Sequence, residues 1–456
     1  MKNNNYIDFI NSKTHLIGNF GFDPIWYPEE IFDFQKEITR RALLKGRMAI
    51  FADTGLGKTR IQLTIAQNVV LKTNKKVLIL TPLAVAFQFI KEAEIIGIED
   101  IEYSKDGKHT KKIVVCNYER LHYFDRSDFE CVVCDESSIL KNFEGKIKNQ
   151  ITSFVKKLPY RFLSTATPSP NDYIELGTSS EALGYMGYTD MLGKFFKNNN
   201  NSIDPKHAGD KWYLKPHAEN DFWSWVSQWA VSIKKPSDLG FSDEKYILPK
   251  LIQNVHYVRN ESPIPINGQH QLFALSAKSF QEIRAEAKAT IKQRCEKAYQ
   301  LSEGKKHTVF WCNLNDEADY LEDISKGVQI KGGMSIDKKE ELLIAFANKE
   351  ISKLITKPKI SSFGLNWQHC NHTTYFVNYS FEQLYQAVRR FWRFGQKNDV
   401  TVDIVASDGQ DRIIEALEVK KQKSLEMFAR LNQNVNSAYV NDKKEFDKKI
   451  IKPSFI

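Results

Sequence analysis

Eight residues, "ADTGLGKT" from Ala52 to Thr59, narrow the fold more than any other stretch of the chain. They follow an apolar run, "MAIFA", and open a segment of helical period, "KTRIQLTIAQNVVLK". Glycine accepts the tight backbone of a strand-to-helix turn, and a helix N-terminus presents unpaired N–H groups and the positive end of its dipole. Together they make a phosphate cradle. Thr54, Gly55, Leu56 and Gly57 wrap the phosphates, Lys58 reaches the β- and γ-phosphates, and Thr59 ligates magnesium. The strict pattern has glycine at the first position, where this chain has Ala52, but Gly55 and Gly57 still allow the close turn. A nucleotide and Mg2+ are the expected cofactors.

Around this loop, short apolar runs alternate with amphipathic segments, the pattern of a parallel sheet wrapped by helices. In the first half the strands read "MAIFA", "VLILT", "IVVC", "CVVC" and "RFLST"; in the second, "TVFWC", "KLIT", "TTYFV" and "VTVDIVA". The same α/β rhythm thus occurs twice. At 456 residues the chain is too long for one core, and about 150 residues per domain leaves room for two lobes and an insertion. Boundaries are expected at 1–176, 177–260 and 261–456, the last lobe ending in a lysine-rich tail. The middle region has a different texture. It holds Trp212, Trp223, Trp225 and Trp229, four of the eight tryptophans, which are read as packing of a small helical subdomain. A single long helix is expected over "AKSFQEIRAEAKATIKQRCEKAYQLSEG".

The formal charge of +9 suits a polyanionic partner without requiring one. No run of about 18 apolar residues occurs, and the N-terminus has no signal-like apolar stretch, so the reading is a cytoplasmic protein with no membrane partner. The six cysteines are scattered. Cys131 and Cys134 lie three apart in a strand, on opposite faces, and are read as buried reduced thiols instead of a metal pair. "HCNH" at His369–His372 has no second ligand pair at zinc-finger spacing and is set aside.

Further motifs carry chemistry. "CVVCDESS" delivers two carboxylates at a strand end: Asp135 to hold magnesium and Glu136 to polarise an attacking water. "STATPSPND" is a strand running into small hydroxyl residues. In "QAVRRFWRFGQ", about 100° per residue of helix groups Gln386, Arg389, Arg390 and Arg393 on one arc, with Leu384, Val388, Phe391 and Trp392 opposite. Ser380 and Gln383 form a candidate capping box at its start.

In this order, with "LILTPLAVAFQF", "VVCNYERL" and "SSFGLNW", these stretches resemble the superfamily 2 helicases, nearest the Swi/Snf-like branch and its compact phage and prophage members. The resemblance runs from about Phe34 to Val405. It implies two RecA-like lobes with ATP in the cleft and a nucleic acid strand across both. By its motifs, Gln35 matches the adenine-reading glutamine, and Thr81, Pro82, Asn117 and Tyr118 match segments lining the nucleic acid path. Thr165–Thr167 match the segment linking hydrolysis to lobe movement. Gly364 and Asn366 match a second-lobe motif near the phosphates and the strand, and Gln386, Arg390 and Arg393 match residues that face the cleft. The chain departs from the pattern at Ser137 and Ser138 after the carboxylates, at Ser361 and Ser362, and at Arg389 and Trp392.

The resemblance implies an ATP-dependent helicase or translocase acting on DNA, single-stranded, duplex or branched, with RNA disfavoured. Two alternatives remain at this point. One is a DNA translocase that remodels duplexes or branched junctions without processive unwinding; the other is an ATP-gated clamp with negligible turnover.

Overall fold

The computed structural model describes residues 19–83, 85–141, 146–169, 172–198, 212–260, 280–361 and 366–446. The chain divides into two compact units, one of residues 1–81, 89–243 and 425–456, the other of 82–88 and 244–424. Each has its own parallel sheet, as expected for two RecA-like lobes.

The first sheet is built from β1 (Arg47–Ala52), β2 (Lys76–Thr81), β3 (Ile101–Tyr103), β4 (Ile113–Asn117), β5 (Phe129–Asp135), β6 (Tyr160–Thr165) and β9 (Ala230–Ile233), in the order β3-β4-β2-β5-β6-β1-β9. A strand covered on both faces needs a nearly unbroken apolar run. The runs singled out in the sequence are the buried strands, with Ile79 of β2 opposite Val115 on one side and Val133 on the other. Because β5, β6 and β1 are neighbours and parallel, the loops leaving their C-terminal ends gather on one edge, where α/β sheets bind ligands. Cys131 and Cys134 are buried free thiols, and burial pushes Cys134 up to about 12, which keeps it neutral.

The tryptophan-rich region belongs to this first unit. After an antiparallel pair, β7 (Phe196–Asn198) and β8 (Trp212–Leu214), the helix Glu219–Ser227 leads into β9, which extends the sheet beside β1. Trp223, Trp225 and Trp229 are buried in the same core as Phe51 and Leu163. Trp225 meets Trp229 edge-on at 5.3 Å, and Trp223 meets Tyr173 at 5.1 Å. The segment is helical over Leu176–Leu183, Tyr188–Phe195 and Glu219–Ser227, as expected, and in addition its short strand "AVSI" extends the sheet, pairing with residues more than a hundred positions earlier. Trp223→Ala should lower stability by roughly 3–5 kcal/mol, read from chemical denaturation. Trp223→Phe should cost less, since the indole Nε1 has no hydrogen-bond partner among the described residues to lose. An unchanged midpoint with lost nucleic acid response would make this tryptophan a contact residue.

The second sheet comprises β10 (Leu251–Val258), β11 (Thr308–Trp311), β12 (Val328–Gln329), β13 (Lys353–Thr356), β14 (His372–Phe376) and β15 (Val400–Ser407), all parallel, in the order β10-β15-β14-β11-β13-β12. The expected long helix is two, Phe280–Ala289 and Ile291–Leu301, interrupted at Thr290. There the threonine hydroxyl bonds back to the Glu286 carbonyl at 2.8 Å and also accepts from Arg294 Nε, a local competition that bends helices. His372 has both ring nitrogens engaged, with Thr308 Oγ1 at 2.6 Å and Asp403 Oδ2 at 3.0 Å, so it has no lone pair to offer a metal. Burial alone would raise the Asp403 carboxyl, but hydrogen bonds from His372, Asn254 and His256 hold it well below the usual range.

Candidate active site

β1 ends at Ala52, which is still extended and paired with Ile233 of β9. That position requires no left-handed backbone, which explains why alanine serves. The turn comes later, at Gly55 (φ 87°) and Gly57 (φ 76°), and Gly57 caps the helix Lys58–Thr73. A Cβ on Gly57 would lie 2.1 Å from the Gln35 side-chain nitrogen. Gln35 therefore packs directly on the loop: its Nε2 donates to the Leu56 carbonyl at 2.9 Å, and its Oε1 accepts the Phe32 N–H at 3.1 Å. Lys58 Nζ donates to the carbonyls of Ala52 (3.0 Å) and Asp53 (3.4 Å), while Asp53 Oδ1 accepts the Thr54 N–H at 2.7 Å. Thr59 sits half-buried in the first turn of the helix.

The carboxylates arrive at the end of β5. Asp135, opposite Ser164 of β6, accepts a 2.7 Å hydrogen bond on Oδ1 from Gln62, one turn along the helix that Lys58 opens. The helix that follows the phosphate loop and the acidic motif are thereby in direct contact. The Tyr118 hydroxyl donates to the main-chain carbonyl of Asp135 at 2.7 Å. Glu136 has φ 50°, a left-handed backbone that non-glycine residues rarely adopt and that tends to mark functional sites. Its Oε2 accepts from Thr165 Oγ1 at 3.3 Å, and Thr165 Oγ1 accepts the Thr167 N–H at 3.1 Å. These residues fit a magnesium–nucleotide: a glycine loop too crowded for a side chain, a lysine and a threonine at a helix start, and two carboxylates beside them.

The residues expected along a nucleic acid path are mostly inside the first lobe. Thr81 and Asn117 are fully buried and bonded to each other at 3.5 Å, and Tyr118 is nearly so. Pro82 follows β2 in a turn closed by the Val85 N–H at 3.3 Å. Gly364 lies outside the described residues. Asn366 is half-buried and donates to Gln368 Oε1 at 3.2 Å.

In the arginine segment, the helix is shorter than the periodicity suggested. It spans Phe381–Val388, and Arg389–Arg393 form tight turns after it. Two tertiary bonds favour this stop: the Arg390 carbonyl accepts the Trp367 N–H at 3.0 Å, and Trp392 Nε1 donates to the Pro249 carbonyl at 2.7 Å. At the helix start Ser380 Oγ caps the Gln383 N–H at 3.3 Å, but the Gln383 side chain accepts from Asn378 instead, so only half of the capping box forms. The single exposed arc is also replaced. Gln386 and Arg390 are buried, Arg393 is half-buried, and the Arg389 guanidinium lies 4.4 Å over the Trp392 ring and 5.1 Å from that of Tyr385.

Gln62 and the Tyr118–Asp135 link were not singled out from sequence. An amide within a helical run carries no signal until the strand it faces is known.

Residues 32–176 match the family model described as DEAD/DEAH box helicase, so the first lobe is a helicase-type ATPase domain. With the loop and carboxylates in place, this marks an ATP hydrolase acting on nucleic acid. Among solved structures the chain is similar to the Sulfolobus solfataricus SWI2/SNF2 ATPase core in complex with dsDNA, at 18% identity and a TM-score of 0.42, over 88% of this chain and 93% of that one. No curated protein matches it by sequence. Among the described residues, no helix is long and apolar enough to cross a membrane.

Proposed function

We propose that the protein is an ATP-dependent DNA helicase or translocase, coupling hydrolysis to movement along the phosphodiester backbone. The observation that carries the hydrolytic part is the direct contact between the phosphate-loop helix and the acidic motif through Gln62 and Asp135. In this reading Thr54, Gly55, Leu56 and Gly57 bind the phosphates, Lys58 neutralises the β- and γ-phosphates, and Gln35 closes the loop beside the adenine. Thr59 and Asp135 hold Mg2+, which supplies charge neutralisation on the phosphates when bound. Glu136 polarises the attacking water, and the Thr165 hydroxyl on its carboxylate transmits the state of the site to the following segment. Gln386, Arg390 and Arg393 serve the γ-phosphate. Thr81, Pro82, Asn117 and Tyr118 shape the nucleic acid path from beneath, with Gly364 and Asn366 doing so in the second lobe. The preference for DNA rests on the sequence motifs.

Steady-state ATPase measured in parallel with single-stranded, duplex and branched DNA and with RNA tests the proposal. Stimulation by one of the DNA forms is expected. Binding should also weaken steeply with salt, because a protein that tracks the backbone displaces condensed counterions. Turnover indifferent to every nucleic acid tried would leave a clamp or switch. Stimulation by duplex or branched DNA without strand separation would select the remodelling translocase.

A further inference from the structure

The helix Lys58–Thr73 carries two fully buried side-chain amides with opposite hydrogen-bond states. Asn68 is saturated. Its Nδ2 donates to the carbonyls of Trp26 and Thr64, both at 2.8 Å, and its Oδ1 accepts the N–H groups of Ile25 (2.7 Å) and Trp26 (2.9 Å). That is a structural amide, stapling the segment before the first helix to the lobe. Gln62 makes a 2.7 Å bond from Nε2 to Asp135 Oδ1, while its Oε1 is buried with no hydrogen-bond partner among the described residues. The orientation of the amide follows from this pair, since turning Oε1 toward the carboxylate would set two acceptors against each other.

A buried acceptor without a partner costs stability, and an apolar side chain of the same shape would remove that cost. Gln62 is thus a poor choice for the core and a good one for the carboxylate. Donors behind metal-ligating side chains fix their orientation, and losing one typically weakens metal binding by about 10–100-fold. We infer that Gln62 is a positioning residue for magnesium: its Nε2–H holds the Asp135 carboxylate in the orientation that serves the ion, and links that orientation to the helix opened by Lys58. The inference rests on the ATP-site reading above and goes beyond it by assigning the residue that sets metal affinity from outside the ligand set.

The test uses the full-length chain and Gln62→Met, which keeps length and volume but removes both the donor and the unpartnered acceptor. Mn2+ is the probe, its free concentration followed by electron paramagnetic resonance with ADP at saturation. Nucleotide affinity in EDTA and thermal unfolding are measured alongside. The expected result is Mn2+ affinity reduced by about 10–100-fold, with metal-free nucleotide affinity unchanged and the unfolding midpoint shifted little, since removing the orphan Oε1 offsets the donor that Asp135 loses. Mn2+ affinity within about twofold of wild type, against a factor of ten or more expected, would overturn the inference and leave the ATP-site reading standing. A lowered midpoint with parallel loss of metal-free nucleotide binding would also overturn it, making Gln62 a packing residue. Wild-type protein that binds no Mn2+ in the presence of nucleotide would overturn both.

Discussion

Arg393→Ala should lower nucleic-acid-stimulated ATP turnover by about 10³–10⁵, the range that arginine fingers supply in related phosphate-loop enzymes, with a much smaller change in DNA affinity. A guanidinium remains charged at cellular pH and presents a planar fork of donors matched to phosphate oxygens. Lysine should rescue poorly because it lacks the fork. Arg393 is the cleaner of the two positions to test. Its side chain is half-buried, whereas Arg390 is only 2% exposed and its removal would also disturb packing. Turnover and binding measured on the same preparations separate the roles. Near-normal ATPase with lost DNA binding would place Arg393 on the nucleic acid and not on the nucleotide.

The second large effect is a contrast between two substitutions in the first lobe. Lys58→Ala should abolish hydrolysis and weaken ATP binding together, because the β- and γ-phosphates lose their cation. Glu136→Gln should also abolish hydrolysis but bind ATP at near wild-type affinity, because the amide keeps the shape and loses only the ability to polarise water. Equilibrium binding of a fluorescent ATP analogue, read beside turnover, distinguishes them. Equal loss of affinity in both variants would contradict the assignment. The geometry supports separate roles: Lys58 is bonded to the loop's own carbonyls, while Glu136 is held by Thr165 on a different strand end.

Much of the candidate ATP site was legible in the chain, for a local reason. A phosphate loop is a strand end, a tight turn and a helix start, all within the twelve residues from Met48 to Thr59, so glycine spacing and apolar runs report it directly. The carboxylates at the end of β5 are visible on the same grounds. Strands buried on both faces announce themselves as unbroken apolar runs, and nine such runs are strands of the two sheets. The short strands β3 and β12 carried too few residues to stand out, and β9, as long as β11 and β13, joins the sheet only by pairing with β1 from far along the chain.

The arginine segment marks the limit of periodicity. Spacing identified which residues carry charge, but bonds from Trp367 and to Pro249, roughly 25 and 140 positions away in the chain, accompany the end of its helix at Val388. The role of Gln62 is of the same kind. Its helix could be read from the loop it follows, but its facing carboxylate could not, because Asp135 lies 73 residues further on and meets it only through the packing of that helix on β5. Local backbone chemistry is written in neighbouring residues and survives in the sequence. The partner of a buried polar group is chosen by how sheets and helices stack, and so was decided only in the folded lobe.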